Sequence, residues 1–254
     1  MEENKVNDSQ KQIAGAILIV GVMIAGAILL KGSPSPTNRN EANDKGIPVT
    51  TTTLAPVGKE DRTLGNPNAK VALIMYEDFQ CPFCGAISGL LPSNSPIMQS
   101  LKQRDPTWTS FMPEIINNYV KNGKVLFVYR DFAFLGSESV KAAEAARCAG
   151  DQGKFWEYHD YLYTHQNGEN EGNFSDPKLK SFAKELKLNI LSFDKCLNES
   201  KYAQAVANSK NEGTNAGVTG TPKGFILKDG KIFDTIDGAE SYTTVKPKIE
   251  AALK

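Results

Sequence analysis

Apolar positions recur along this chain in short blocks whose spacing switches between strand and helix periods. Val71-Ala72-Leu73-Ile74-Met75-Tyr76 is an unbroken apolar run of strand length, as expected of a strand buried on both faces. Lys124 to Arg130, rich in Val and Phe, reads as a second strand. Between them a helix starting at Cys81 reaches about Leu91, where Pro92 and Pro96 break it, and another helical stretch covers about Thr107 to Lys121. After the second strand the pattern is helical only. Ser137 supplies an N-cap for a helix running to Gly150, and further helices are predicted over about Lys154 to Thr164, Pro177 to Leu186 and Glu199 to Ala216. Gly224 to Lys228 and Lys231 to Ile236 flank Asp229-Gly230, a hairpin turn signal, and Ser241 to Leu253 closes the pattern as an amphipathic helix. This order specifies an α/β domain.

The N-terminal quarter is patterned differently. Behind a short tail, residues 1–12, the stretch Ile13 to Leu30 holds 18 residues without a charge, bounded by Lys11 and Lys31. At 1.5 Å per residue it covers about 27 Å of hydrocarbon and reads as a transmembrane anchor. A cleaved signal peptide is the alternative, since Ala25-Gly26-Ala27 offers small residues to a peptidase; the apolar run, however, continues through Ile28, Leu29 and Leu30 and exceeds a usual signal core. Residues 31–62 shift to Pro, Ser, Thr and Asn, with four threonines at Thr50 to Thr53, and read as a flexible linker. Its end-to-end distance would be about 30 Å. The folded domain is then 63–254, with its helical insert at about 137–216.

Composition narrows the partners. The 254 residues carry 29 basic and 29 acidic side chains, with no basic run, so neither net field nor local patch supports nucleic-acid binding. Lysines flank the apolar stretch on both sides and leave its orientation open. The four cysteines favour an oxidising, extracytoplasmic face.

The chemistry concentrates at Cys81-Pro82-Phe83-Cys84. Pro82 suits the first turn of a helix, which makes Cys81 the cap. There the unpaired backbone N–H groups and the positive end of the helix dipole favour a thiolate, so Cys81 is the candidate attacking and leaving sulfur. Cys84, one turn on, is the candidate resolving thiol. A zinc or iron site would need a second pair of ligands at knuckle spacing, whereas Cys148, Cys196, His159 and His165 are scattered, so no metal is expected. The apolar Phe83 side chain gives the Cys81 sulfur neither charge nor hydrogen bond, and this leaves redox poise open. The aromatic group Phe155, Trp156, Tyr158, Tyr161, Leu162 and Tyr163 has the spacing of a core-facing helix, with His159 a structural hydrogen-bonding residue.

Three further stretches join the pattern. Gly65-Asn66-Pro67-Asn68-Ala69-Lys70-Val71 leads through Asp78-Phe79-Gln80 into the cysteine pair; Arg147-Cys148-Ala149 precedes Gln152-Gly153-Lys154-Phe155-Trp156; and Gly217-Val218-Thr219-Gly220-Thr221-Pro222 precedes the hairpin. Together with the β-α-β and β-β-α halves, they resemble the DsbA-like thioredoxin family of membrane-anchored or secreted thiol-disulfide oxidoreductases, from about Leu64 to Lys254. The resemblance implies a thioredoxin fold with a helical insertion. It implies Cys81 and Cys84 as the catalytic pair, tuned by Pro82 and Phe83, and a cis bond at Thr221-Pro222, where the Thr221 backbone would pair with substrate as an added strand; the residues alone leave an ordinary trans turn proline open. It also implies a structural disulfide between Cys148 and Cys196; the residues alone leave two buried free thiols open.

Relatives of this type carry an acid six residues before the first cysteine, a position held here by Met75. Glu77 lies on the same side as Met75 if the strand persists that far, and would then tune the site; a solvated acid on a loop is the alternative. Asp78 reads as a structural cap. The implied activity is introduction of disulfides into cysteine-containing unfolded or partly folded polypeptides outside the cytoplasm. It needs no bound cofactor, and a membrane redox partner would reset the pair. A reductase or isomerase on the same face, or a non-catalytic peptide- or metal-binding module, are the alternatives.

Overall fold

The computed structural model describes residues 53–254. The predicted tail, the predicted anchor at Ile13 to Leu30 and the predicted linker as far as residue 52 lie outside the described residues. Among the described residues no helix is long and apolar enough to cross a membrane.

The apolar run predicted as the first strand becomes β2, Val71–Glu77, every residue of which is buried. It lies at the centre of a five-stranded sheet in the order β1-β3-β2-β4-β5. Its parallel neighbour is β3, Val125–Asp131, and its antiparallel neighbour is β4, Lys223–Lys228; the short β1, Arg62–Leu64, and β5, Lys231–Asp237, form the edges. Strand alternation divides β2 between two cores. Leu73 and Met75 face the larger one with the helices, while Ala72, Ile74 and Tyr76 face a smaller one with Phe132, Val218 and Phe225.

The crossover from β2 to β3 contains α1, Pro82–Ser88, then α2, Pro96–Arg104, then α3, Met112–Ile115, which continues as a π-helical turn, Ile116–Val120. Here the sequence expectation needs correcting at Pro96, which starts a helix at its first position instead of only ending one. The cysteine helix ends at Ser88 because Gly89 turns left-handed at φ 74°.

The insert is all helical: α4, Ser137–Gly150; α5, Phe155–Thr164; α6, Asp176–Glu185; α7, Ile190–Asn198; and α8, Ala203–Asn215. The period had not marked α7, whose Asn189 side chain caps it by accepting from Ser192 N. α9, Tyr242–Leu253, packs on β4, β5 and β2.

The N-terminal boundary of the folded unit also moves. Residues 54–62, read as linker, are held by Arg130, which donates to Ala55 O, Pro56 O and the Asp61 carboxylate. A buried guanidinium needs such acceptors, and the low hydrophobicity of the segment hid them. Arg147 of α4 likewise donates to buried Asp131 at 2.6 Å, fastening the insert to β3.

Candidate active site

Cys81 caps α1 in extended conformation with Pro82 at the first helical position, as the sequence pattern requires. Asp78 builds the entry turn. Its Oδ1 accepts from Gln80 N, its backbone carbonyl from Cys81 N, and its Oδ2 from Phe134 N and Leu135 N. Asp78 is therefore the structural cap expected of it, and it ties the cysteine turn to the loop after β3. The Gln166 side chain donates to Phe79 O and, at 3.1 Å, to Cys81 O from the other side. This clamp explains Gly85, where an added Cβ would stand 2.5 Å from Gln166 Oε1.

The two sulfurs have different surroundings. Cys81 is 4% exposed and its Sγ donates to Thr221 O at 3.3 Å. The Thr221-Pro222 bond is cis, and the residues around it line a small cleft of about 280 Å³ with Asp237 and Gly238. Hydrogen bonding to the Cys84 thiol, opposed by burial and reinforced by Thr221 and by the backbone of Cys84 and Phe83, lowers the Cys81 pKa to about 7. Cys84 is fully buried, and burial, the hydrogen bond to Cys81 and the nearby Glu77 carboxyl all push its thiol up.

Glu77 is a buried acid beside the cysteine pair. Because β2 runs through residue 77, Glu77 shares the face of Met75, and it is fully buried. Burial raises its pKa to about 8, offset in part by the Tyr163 hydroxyl, which donates to Oε2 at 2.7 Å. The carboxyl thus keeps its proton at neutral pH and sits electrostatically coupled to both cysteines. Glu77 thus stands four residues before Cys81, on the strand face of Met75.

Tyr163 and Tyr129 lie close to Glu77 and Cys84. Their rings surround His159 with centroid distances of 4.8 and 5.3 Å, Phe79 stacks on Tyr129, and burial pushes both phenols well up. His159 is buried with Nδ1 2.8 Å from Asp160 Oδ1. The sequence reading placed the α5 aromatics in the core, and they are there; it gave no sign that one of their hydroxyls would reach Glu77, 86 residues away. Gln166 was missed for the same reason, since a lone glutamine after a helix carries no pattern. Phe83 packs partly buried against the main core.

Cys148 and Cys196 are joined as a disulfide between α4 and α7. Among the described residues no group of three or more His, Cys, Asp or Glu is placed to hold a metal ion.

The family model described as thioredoxin matches residues 58–91 and 107–250. The chain is 23% identical over 216 residues to the probable disulfide bond formation protein D of Bacillus cereus, covering 83% of this chain and 88% of that one. It is also 30% identical over 175 residues to the Na(+)/H(+) antiporter NhaA 1 of Salinispora arenicola, matching 68% of this chain but spanning only 22% of that protein's length. Among solved structures, oxidised BdbD from Bacillus subtilis shares the fold with a TM-score of 0.62 at 22% identity, over 78% of this chain and 95% of that one. With two thiols at a helix start, a facing cis-proline loop and a helical insertion, the chain belongs to the thioredoxin family and has the fold of BdbD and the DsbA proteins.

Proposed function

We propose that this protein introduces disulfides into cysteine-containing polypeptides outside the cytoplasm, using Cys81-Cys84 as the exchanging pair and Ile13 to Leu30 as its membrane anchor. In the oxidised protein a substrate thiolate attacks Cys81 Sγ. The Cys81-Cys84 bond breaks, a mixed disulfide forms, and Cys84 leaves with the electron pair. The protonated Glu77 carboxyl supplies the proton that Cys84, with its raised pKa, takes up. A second substrate thiolate attacks the substrate sulfur and expels Cys81 as a thiolate, which its lowered pKa favours. The substrate is thereby oxidised by two electrons and the protein pair reduced. Reoxidation falls to a membrane redox partner, of the quinone-coupled class.

The observation that carries this reading is the asymmetry of the pair, one sulfur lowered to about 7 beside the Thr221 loop and the other raised against a buried acid. The Thr221 carbonyl is engaged by Cys81 in the reduced state, so on this reading a substrate strand takes that carbonyl over as the mixed disulfide forms.

Mixing oxidised protein with a reduced two-cysteine peptide tests the direction. One disulfide should appear in the peptide for each Cys81-Cys84 bond lost, with little turnover in an insulin-reduction assay. Efficient insulin reduction without peptide oxidation would reverse the assignment to a reductase.

A further inference from the structure

A groove of about 760 Å³ opens beside the first turn of α1, on a flank that shares no residue with the Thr221-Pro222 cleft. Its walls come from Pro82 of α1, Leu91, and Ile97 of α2, facing the segment 166–171 after α5. The α2 wall lies within residues 92–106, the stretch between the two segments that match the thioredoxin family. One wall of the groove thus comes from outside the matched segments, while Gln80 and Pro82 place the groove one residue from the exchanging sulfur.

Its lining carries recognition chemistry of three kinds. Gln80 is 3% exposed, and its amide oxygen accepts from Ser139 Oγ at 2.9 Å, while its Nε2 is buried and makes no hydrogen bond among the described residues. A buried donor left unpaired costs about 1 to 3 kcal/mol, so this N–H calls for an acceptor on whatever fills the groove. Leu91 and Ile97 offer a half-buried apolar strip. Glu169 and Glu171 are exposed at the rim and are the charged side chains of the lining; among the described residues neither forms an ion pair.

We propose that this groove is a specificity subsite for the extended polypeptide whose cysteine exchanges with Cys81. A substrate carbonyl accepts from Gln80 Nε2, an apolar side chain lies on Leu91 and Ile97, and a lysine or arginine near the reacting cysteine meets Glu169 and Glu171. The proposal rests on the reading of Cys81 as the exchanging sulfur, and adds to it a preference for basic, apolar flanks.

The test uses the oxidised full-length chain and blocked peptides containing one cysteine, one leucine and either two arginines or two glutamates, placed before or after the cysteine. Rates of mixed-disulfide formation are corrected for each peptide's thiolate fraction and divided by the rate with 2-mercaptoethanol, which is neutral and too small to reach the rim. At low ionic strength the arginine peptide should react about tenfold faster than the glutamate peptide in at least one placement, with the ratio falling as salt rises. In Glu169→Gln/Glu171→Gln the ratio should collapse to within about twofold. A ratio already within about twofold in the unmodified protein, or one unchanged in the variant, would overturn the subsite. Failure of 2-mercaptoethanol to react as well would instead overturn the exchange reading on which the subsite depends.

Discussion

Cys148 and Cys196 meet from α4 and α7 across 48 residues of chain, while Cys81 and Cys84 stand one turn apart as free thiols at the start of α1. Burial does not distinguish the pairs. The exposures are 1% and 6% for the first and 4% and 0% for the second. What differs is the polar surroundings. Cys81 has a helix N-terminus and Thr221 within reach, and Cys84 has a buried carboxylic acid with a tyrosine hydroxyl on it. The bridging pair instead fastens two helices of the insert. The lesson is that a reactive disulfide is made by what stabilises its thiolate and delivers its proton, and a structural one by the length of chain it closes.

The sharpest break of this comparison comes from removing single sulfurs. Cys81→Ser should reduce exchange to the uncatalysed rate, and Cys84→Ser should accumulate mixed disulfides that alkylation and mass spectrometry locate on Cys81. Equal trapping through either cysteine would erase the assigned roles. Cys148→Ala/Cys196→Ala should leave exchange intact while lowering stability, by up to about 4 kcal/mol for a loop of this length. Denaturant melts of the oxidised proteins measure it, and loss of exchange in the folded double variant would show that the two pairs are not separable.

Next in size is Glu77→Gln. A carboxyl with its folded pKa raised from 4.5 to about 8 binds more protons folded than unfolded, so its contribution makes stability fall as pH rises through that window. The glutamine variant should lose this slope, gaining about 4 to 5 kcal/mol relative to the native chain at alkaline pH as an upper figure, and its exchange should slow by about 10²-fold at neutral pH. The opposite sign applies to Cys81, whose lowered pKa adds stability as pH rises above about 7. Melts of the reduced proteins from pH 5 to 9 separate the two groups, and a Glu77→Gln curve parallel to the native one would contradict the buried-acid assignment. Tyr163→Phe should have the smallest effect. Losing the donor to Glu77 costs about 1 kcal/mol and raises the carboxyl pKa further, moving the alkaline limb of the exchange profile upward.

Much of this was legible in the chain because the signals are local. The buried strand, the Cys81 cap and the Asp229-Gly230 hairpin each follow from a few adjacent residues. Glu77 was legible as a conditional, depending on whether the strand extended one residue past Tyr76, which the bond from Phe132 N to Glu77 O secures. Long-range pairing left no trace. Tyr163 on Glu77, Gln166 on the cysteine turn and Arg130 on residues 55–61 join elements separated by at least 69 positions, and none of these side chains breaks a period that sequence can read. The helix α2 was hidden by its own proline, which marks a stop and a start equally well.

The division between the two cysteine pairs is tested most directly by equilibrating the full-length chain in graded glutathione buffers, quenching with an alkylating agent and mapping each pair by mass spectrometry. Cys81-Cys84 should open at a more oxidising potential than Cys148-Cys196, which should stay closed until about −300 mV. Both pairs opening together, or Cys148-Cys196 opening first, would contradict the division.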